Sequence, residues 1–285
     1  VLKYLDFMIR DHETRLAAKV FVVRGTTAEE VMENGNTGEF FISERIESII
    51  KDAGQLSQSK EVTVLEIVNM FDCLYSDPYI PCISIIKNVE RGEEEKDIID
   101  ILIDGYAIID NEEKKLKGYV RGNMGRGLNW LTNNVHSGVI VVGDSYGKEV
   151  SLEIIDAKVK IIPENKNGVY TATVYVDMTS NIGELQGEED VFFDSKIDYL
   201  EKQQEKVIKE EIERVLAYCQ QNKLDATMIG SRMYHKFPVE WQNSNMQDKW
   251  KDYFPSVKIQ VSVRSKINRT YNIKDPVGGL KSKNR

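Results

Sequence analysis

The chain has 285 residues, of which 41% are hydrophobic and 29% charged, with only six prolines. That composition excludes collagen-like, mucin-like and wholly disordered chains, and the length holds about two domains, with room for three small ones. Lysine and arginine total 38 against 46 acidic residues, a net charge of −8, which argues against broad nucleic-acid binding, since that needs a basic face for the phosphates.

No stretch reaches the ~18 consecutive apolar residues that cross a bilayer. No signal peptide is visible either, because a basic start, an apolar centre and a small-residue cleavage site are all missing. The chain begins at Val1 inside an amphipathic run carrying Leu2, Leu5, Met8 and Ile9. It therefore reads as a piece excised from a longer protein. The three cysteines, Cys73, Cys82 and Cys219, are too few for a disulfide framework and show no CxxC spacing. Cys73 and Cys82 can be paired on paper, but buried apolar thiols are the plainer reading.

In chain order, residues 1–11 read as the end of a helix, with apolar positions on a 3.6-residue period. Lys19 to Arg24 is a short valine-rich strand ended by Gly25. Thr26 with Glu29 three residues on reads as a helix cap, and residues 33–39 as a polar loop. Helices are expected from Ser43 to Ala53 and from Thr63 to Leu74. Strands follow over Cys82–Val89 and Ile98–Ile109, the second broken at Gly105, with exposed turns at 91–96 and 111–115. Gly122 to Gly127 reads as a loop before a helical turn at Leu128–Leu131. Strands are then expected at 139–142, 148–155, 158–163 and 170–178, with a turn at Asn165–Gly168.

The clearest element is a long amphipathic helix near 195–222, whose stripe runs Ile197, Leu200, Val207, Ile208, Ile212, Val215, Leu216 and Cys219. A shorter helix is expected over Met246–Tyr253. A last strand alternates Val257, Ile259, Val261, Val263 and Ile267 with polar residues. The tail from Val277 reads as disordered. No repeat is present. Segregated strands and helices indicate an α+β fold, with mixed and antiparallel sheets flanked by helices. The chain divides into 1–92, the remainder of an N-terminal domain; 93–147, a small middle domain; and 148–285, a C-terminal α+β domain.

Chemistry-bearing motifs are sparse. Gly143-Asp-Ser145-Tyr-Gly147 matches the nucleophile-elbow pattern, which makes a serine hydrolase using Ser145 the remote alternative. The elbow needs a helix after the serine, whereas Lys148 to Ile155 alternates as a strand, so a hairpin turn is the plainer reading. Gly122-Asn-Met-Gly-Arg-Gly127 resembles a phosphate loop only loosely, lacking the GK[ST] ending. His12, His136 and His235 have no partner at metal-ligand spacing. Glu188 and Glu189 lack an apolar setting to raise a pKa. Asn268-Arg-Thr270 fits a glycosylation acceptor, a pattern common by chance. The residues offer no catalytic, cofactor or metal constellation, and the protein reads as non-enzymatic.

Several segments together resemble the Ger(x)C lipoproteins, the C subunits of spore nutrient-germinant receptors. Trp241, Trp250-Lys-Asp-Tyr-Phe254-Pro255 and the strand Val257–Val263 resemble the closing block of that family. Leu224-Asp-Ala226 to Gly230, with His235-Lys-Phe-Pro238, is similar to the segment before it. Gly105-Tyr-Ala-Ile-Ile109 to Gly118, Leu128-Asn-Trp130, Leu2 to Arg15 and Thr27-Ala28-Glu-Glu-Val resemble further family segments in the same order. The resemblance implies a subunit acting in spore germination with integral-membrane A and B partner subunits. It implies a lipid anchor, carried by a modified cysteine and signal peptide ahead of Val1, on the outer face of the spore inner membrane. It supplies no catalytic residue and no cofactor. An extracytoplasmic adaptor of unrelated role is the alternative. Trp250 and Phe254, four apart, are expected to press one aromatic face onto the last strand, with Pro255 ending their helix.

Overall fold

A computed structural model describes residue 10 and residues 15–34, 41–90, 96–185 and 194–268. Two four-stranded sheets carry the architecture. The first contains β1 (Val22–Arg24), β2 (Tyr79–Glu90), β3 (Lys96–Asp110) and β4 (Lys115–Val120), in that order. β1 runs parallel to β2 and the other pairs are antiparallel. Between β1 and β2 lie α1 (Ala28–Asn34), α2 (Ile42–Gln55) and α3 (Val64–Asp72).

The second sheet orders β5 (Val139–Gly143), β6 (Glu149–Lys166), β7 (Val169–Leu185) and β8 (Lys258–Asn268). Its last strand, β8, is parallel to β7. The connection that makes this possible contains the long helix α5 (Asp194–Gln221), then α6 (Ile229–Lys236), α7 (Pro238–Asn243) and α8 (Trp250–Tyr253). The fourth helix in chain order, α4 (Asn123–Leu131), lies between β4 and β5 and joins the two sheets.

Local chemistry explains several element ends. Thr63 and Glu66 form a reciprocal capping box at the start of α3, which satisfies two otherwise orphaned N–H groups. The cap of α1 falls one residue later than Thr26: the Thr27 hydroxyl accepts from the Glu30 N–H while the Glu30 carboxylate accepts from the Thr27 N–H. The strands expected at 148–155 and 158–163 are one continuous strand, bent by a register shift between Ile154 and Asp156 that absorbs the extra residue. The turn at Asn165–Gly168 stands as expected.

β3 does not break at Gly105 as expected: the strand runs on from Lys96 to Asp110, and Gly105 sits at the register shift against β2 with a φ of +71°, where a side chain would overlap the Val120 carbonyl. The glycines of 122–127, likewise, are not a loop. They lie at the start of and within α4, where a methyl on Gly127 would overlap the Glu211 carbonyl of α5, and one on Gly125 would press on Gly105. Their smallness lets α4 pack tightly between β3 and α5.

The core has three parts. The largest runs from β3 and α4 through the second sheet to α5 and the helices after it, and includes Tyr106, Trp130, Leu152, Val174, Ile212, Trp241 and Phe254. A second joins Val31, Ile42 and Ile50 of α1 and α2 to Ile83, Ile101 and Ile103. A third sets Ile67 and Phe71 of α3 against Ile80 and Ile109. The helix expected over 1–11 and the polar loop at 33–39 lie largely outside the described residues, as do the turn at 91–96, Glu188, Glu189 and the tail.

Candidate functional site

Two junctions hold most of the buried charged groups of the described residues, and the first is a cleft of about 290 Å³. It forms where the segment after α3, the β3–β4 turn and the stretches around 223–225 and 247–254 meet. Asp77 stands at the centre. Its Oδ1 accepts the Asn111 N–H at 2.7 Å and its Oδ2 the Asp225 N–H at 2.6 Å. Its own N–H donates to the Asp225 carbonyl at 2.9 Å. One side chain therefore ties three segments that are far apart in sequence.

Its neighbours extend the clip. The Asn111 carboxamide donates to the carbonyls of Phe71, Cys73 and Ser76, closing the end of α3. Asp225 accepts from the N–H and hydroxyl of Thr227, and from the N–H groups of Ile229 and Gly230, where α6 begins. Asp110 accepts from the N–H groups of Glu112 and Glu113 and from the Lys251 ammonium at 2.6 Å.

Charge follows from this packing. Burial pushes the Asp77 carboxyl up to about 7; the Asn111 N–H opposes the rise and the nearby Asp225 charge adds to it. Burial also raises Asp225, against the pull of the Gly230 and Thr227 donors. Asp110 goes the other way. Burial alone would raise it, but the Glu113 N–H and the Lys251 ammonium together hold it below the usual carboxylate range.

The wall of the cleft is aromatic. Trp250 is buried, with its ring 5.2 Å from Trp241 and 5.4 Å from Phe254. A side chain on Gly230 would overlap its indole. The expected aromatic packing of Trp250 and Phe254 is present, and Trp241 and Tyr253 add further ring contacts to Trp250. Both rings share one core with Val257, Ile267 and the half-buried side chains of the last strand.

The second junction binds α4 to α5. The Arg126 guanidinium forks onto the Glu211 carboxylate, with Nε donating at 2.9 Å. Arg126 Nη1 also donates to the Val139 carbonyl at 2.9 Å, and Trp130 Nε1 to Glu211 at 3.2 Å. Tyr106 Oη donates to Asn129, whose amide donates to the Ser57 carbonyl. The carboxylates and carboxamides of both junctions are engaged in structural bonds, while the buried Trp250 indole N–H beside the first has no partner among the described residues.

The motifs singled out in the sequence are not brought together. Ser145 lies exposed in a strand–turn–strand hairpin, where Asp144 accepts the N–H groups of Tyr146 and Lys148. No helix follows it, so the elbow geometry is absent there. His136 and His235 are exposed, and His12 lies outside the described residues. Among the described residues no cluster of three or more histidines, cysteines or carboxylates could hold a metal. Cys73, Cys82 and Cys219 are free; Cys73 donates weakly to the Ser231 hydroxyl, and burial raises the Cys82 and Cys219 thiols.

Two of the missed residues carried a readable signal. Gln204 and Glu211 fall on the apolar stripe of the long helix, three or four residues from Leu200, Ile208 and Val215, and both are buried. A polar side chain on a core face requires a partner. Asp77 had no comparable signal, since its partners are 34 and 148 residues away.

A family described as spore germination B3/GerAC like, C-terminal, matches residues 104–271, and a spore germination protein N-terminal domain matches residues 1–85. The chain belongs to this family of germinant-receptor C subunits, as its resemblance to the Ger(x)C proteins implied. It is similar to spore germination protein KC of Bacillus subtilis (strain 168), 24% identical over 284 residues that cover 96% of this chain and 69% of that protein. The crystal structure of the GerBC protein has the same fold, with a TM-score of 0.70 at 21% identity, covering 93% of this chain and 73% of that one. No helix among the described residues is long and apolar enough to cross a membrane.

Proposed function

We propose that this chain is a non-enzymatic subunit of a nutrient germinant receptor, acting with integral-membrane partner subunits. Membership of the family supports the receptor role. The observation that carries the non-enzymatic reading is the fate of the buried polar groups. Asp77, Asn111, Asp225, Arg126 and Glu211 spend their hydrogen bonds joining backbone segments. Asp77 in particular fastens the part that matches the N-terminal family domain to the part that matches the C-terminal one. Such a body positions surfaces for partners; it does not present an acid, base or nucleophile to a substrate. In the full-length protein a lipidated cysteine ahead of Val1 holds it at the spore inner membrane, on the extracytoplasmic face, beside its partner subunits.

Germination of spores lacking the gene, challenged with a nutrient panel and with a non-nutrient trigger as control, tests this reading. Loss of response to particular nutrients with the control intact is the expected result, restored by the wild-type gene and by its Ser145→Ala form. A restored response that fails with Ser145→Ala would overturn the non-enzymatic reading. An unchanged response to every nutrient, in a strain with no other receptor of this class, would overturn the receptor role. Fractionation of spores carrying the full-length protein tests the anchor, which requires it in the membrane fraction.

A further inference from the structure

The second sheet ends on β8, and α5 covers only part of that strand's free edge. In an extended strand the N–H and C=O of one residue point to the same side, and successive residues alternate sides. The Ser265 N–H donates to the Glu205 carboxylate at 3.0 Å, and the Ile267 N–H to that of Glu201 at 2.8 Å. The Val257 carbonyl accepts from the Gln220 carboxamide at 2.8 Å. All three partners are side chains of α5 rather than the backbone of β7, so the odd-numbered residues here face the free edge. By the same alternation Ile259, Val261 and Val263 turn their N–H and C=O groups to that edge. There they have no hydrogen bond to another described residue.

Burial divides the strand in the same way. Ser265 and Ile267 are buried, whereas Ile259, Val261 and Val263 keep part of their surface. The side chains of α5 thus close both ends of the edge and leave a window at residues 259–263. A row of unpaired N–H and C=O groups is a template for another strand, and native proteins blunt such edges with bulges or proline. The window has neither: β8 holds an unbroken register on β7, and its sequence contains no proline.

We propose that the edge of β8 at residues 259–263 takes up an extended, acidic segment of a partner protein as a fifth strand of this sheet. The open backbone groups supply the pairing, as in other cases of strand addition. The side chains select the partner. The even-numbered residues of β8 are exposed on the outer face of the sheet; Lys258, Arg264 and Lys266 are cationic, and the strand has no acid. Asp177 of β7 holds the Arg264 guanidinium at 2.7 Å, while Lys258 and Lys266 make no ion pair with described residues. Opposite charges on neighbouring strands attract, at directly opposed and at diagonal positions, and like charges repel. Carboxylates at alternate positions of the incoming strand therefore suit this edge. The positions between them fall beside Ile259, Val261 and Val263, which suits valine or isoleucine. A second copy of β8 is a poor occupant. The antiparallel register that uses all three open residues sets Lys258 against Arg264 on each side of Val261.

Fluorescence anisotropy of a labelled Glu-Val-Glu-Val-Glu-Val-Glu peptide, titrated with the purified chain, tests the proposal. Saturable binding is expected. It should weaken at least about tenfold, or about 1.4 kcal/mol, when lysine replaces glutamate in the peptide, and equally in the Lys258→Glu, Lys266→Glu double variant. Both lysines are exposed, so that variant should keep the wild-type urea midpoint and circular dichroism. Two further peptides, N-methylated at every valine or at every glutamate, test the pairing: an antiparallel strand loses binding with the first, a parallel strand with the second. Folded protein that does not bind the acidic peptide would overturn the proposal and leave the window to solvent. Binding that survives both N-methyl patterns, or the double charge reversal, would overturn it as well. Sedimentation velocity of the chain alone should show a monomer; a dimer that the acidic peptide dissociates would make a second copy the occupant and overturn the choice of partner. None of these failures changes the germination assay above, so the two readings stand or fall separately.

Discussion

Replacing Arg126 by methionine is the most informative single perturbation. The side chain is about 9% exposed and that of Glu211 about 2%. Methionine keeps much of the aliphatic volume but removes the fork onto Glu211 and the donor to the Val139 carbonyl. Glu211 then keeps only the Trp130 N–H, in a site almost closed to water. Breaking one side of a buried ion pair leaves an uncompensated charge and costs about 3–5 kcal/mol. Replacing both residues by methionine removes that charge and leaves two smaller debts, an unpaired Trp130 N–H and an unpaired Val139 carbonyl, at about 1–3 kcal/mol each at most. The double variant should therefore be no less stable than Arg126→Met alone, and far more stable than the sum of the single effects. Urea unfolding followed by tryptophan fluorescence and by far-UV circular dichroism measures all three variants, and coincident curves check that one transition is being read. A single Arg126→Met within about 1 kcal/mol of wild type, or additive single and double effects, would refute the claim that this pair locks α4 to α5.

Three further outcomes follow from the same structure. Asp77 titrates in the unfolded chain near the ordinary aspartate value of 3.8, whereas burial lifts it to about 7 in the folded chain. The folded state therefore binds more protons between those values, and stability should fall as pH rises through that window, then level off above it; Asp77→Asn should flatten this slope in denaturation curves taken from about pH 4 to about pH 8, and an unchanged slope would remove Asp77 from the account. Trp250→Ala should cost about 3–5 kcal/mol through the cavity left beside Trp241 and Phe254, and a wild-type urea midpoint would contradict that packing. Gly127→Ala should destabilise by about 1–3 kcal/mol, because the methyl overlaps the Glu211 carbonyl and α4 has to shift, whereas the same change at Gly143, which has open space around it, should stay within about 0.5 kcal/mol.

Local pattern determined much of this protein from its sequence. The stripe from Ile197 to Cys219 specified a long helix with one buried face, because a 3.6-residue period has no other economical solution. The alternation from Val257 to Ile267 specified a half-buried strand, and the Asn-Gly pair specified the β6–β7 turn. The ordered family segments identified the receptor class, although no single one of them carries chemistry. Tertiary structure alone decided the rest. The stretch 122–127 read as a loop because glycines are locally flexible; Gly125 and Gly127 are instead helical, at places where the Gln58 and Glu211 carbonyls and Gly105 leave no room for a side chain, and Gly122 caps the helix. The strands at 148–155 and 158–163 merged because a bulge bends a chain without ending its ladder. Asp77 became a clip, and Arg126 a lock, through partners brought near only by folding. Short-range periodicity encodes which face of an element is buried. It does not encode which distant backbone N–H a buried carboxylate will meet, and that is where the sites of this protein lie.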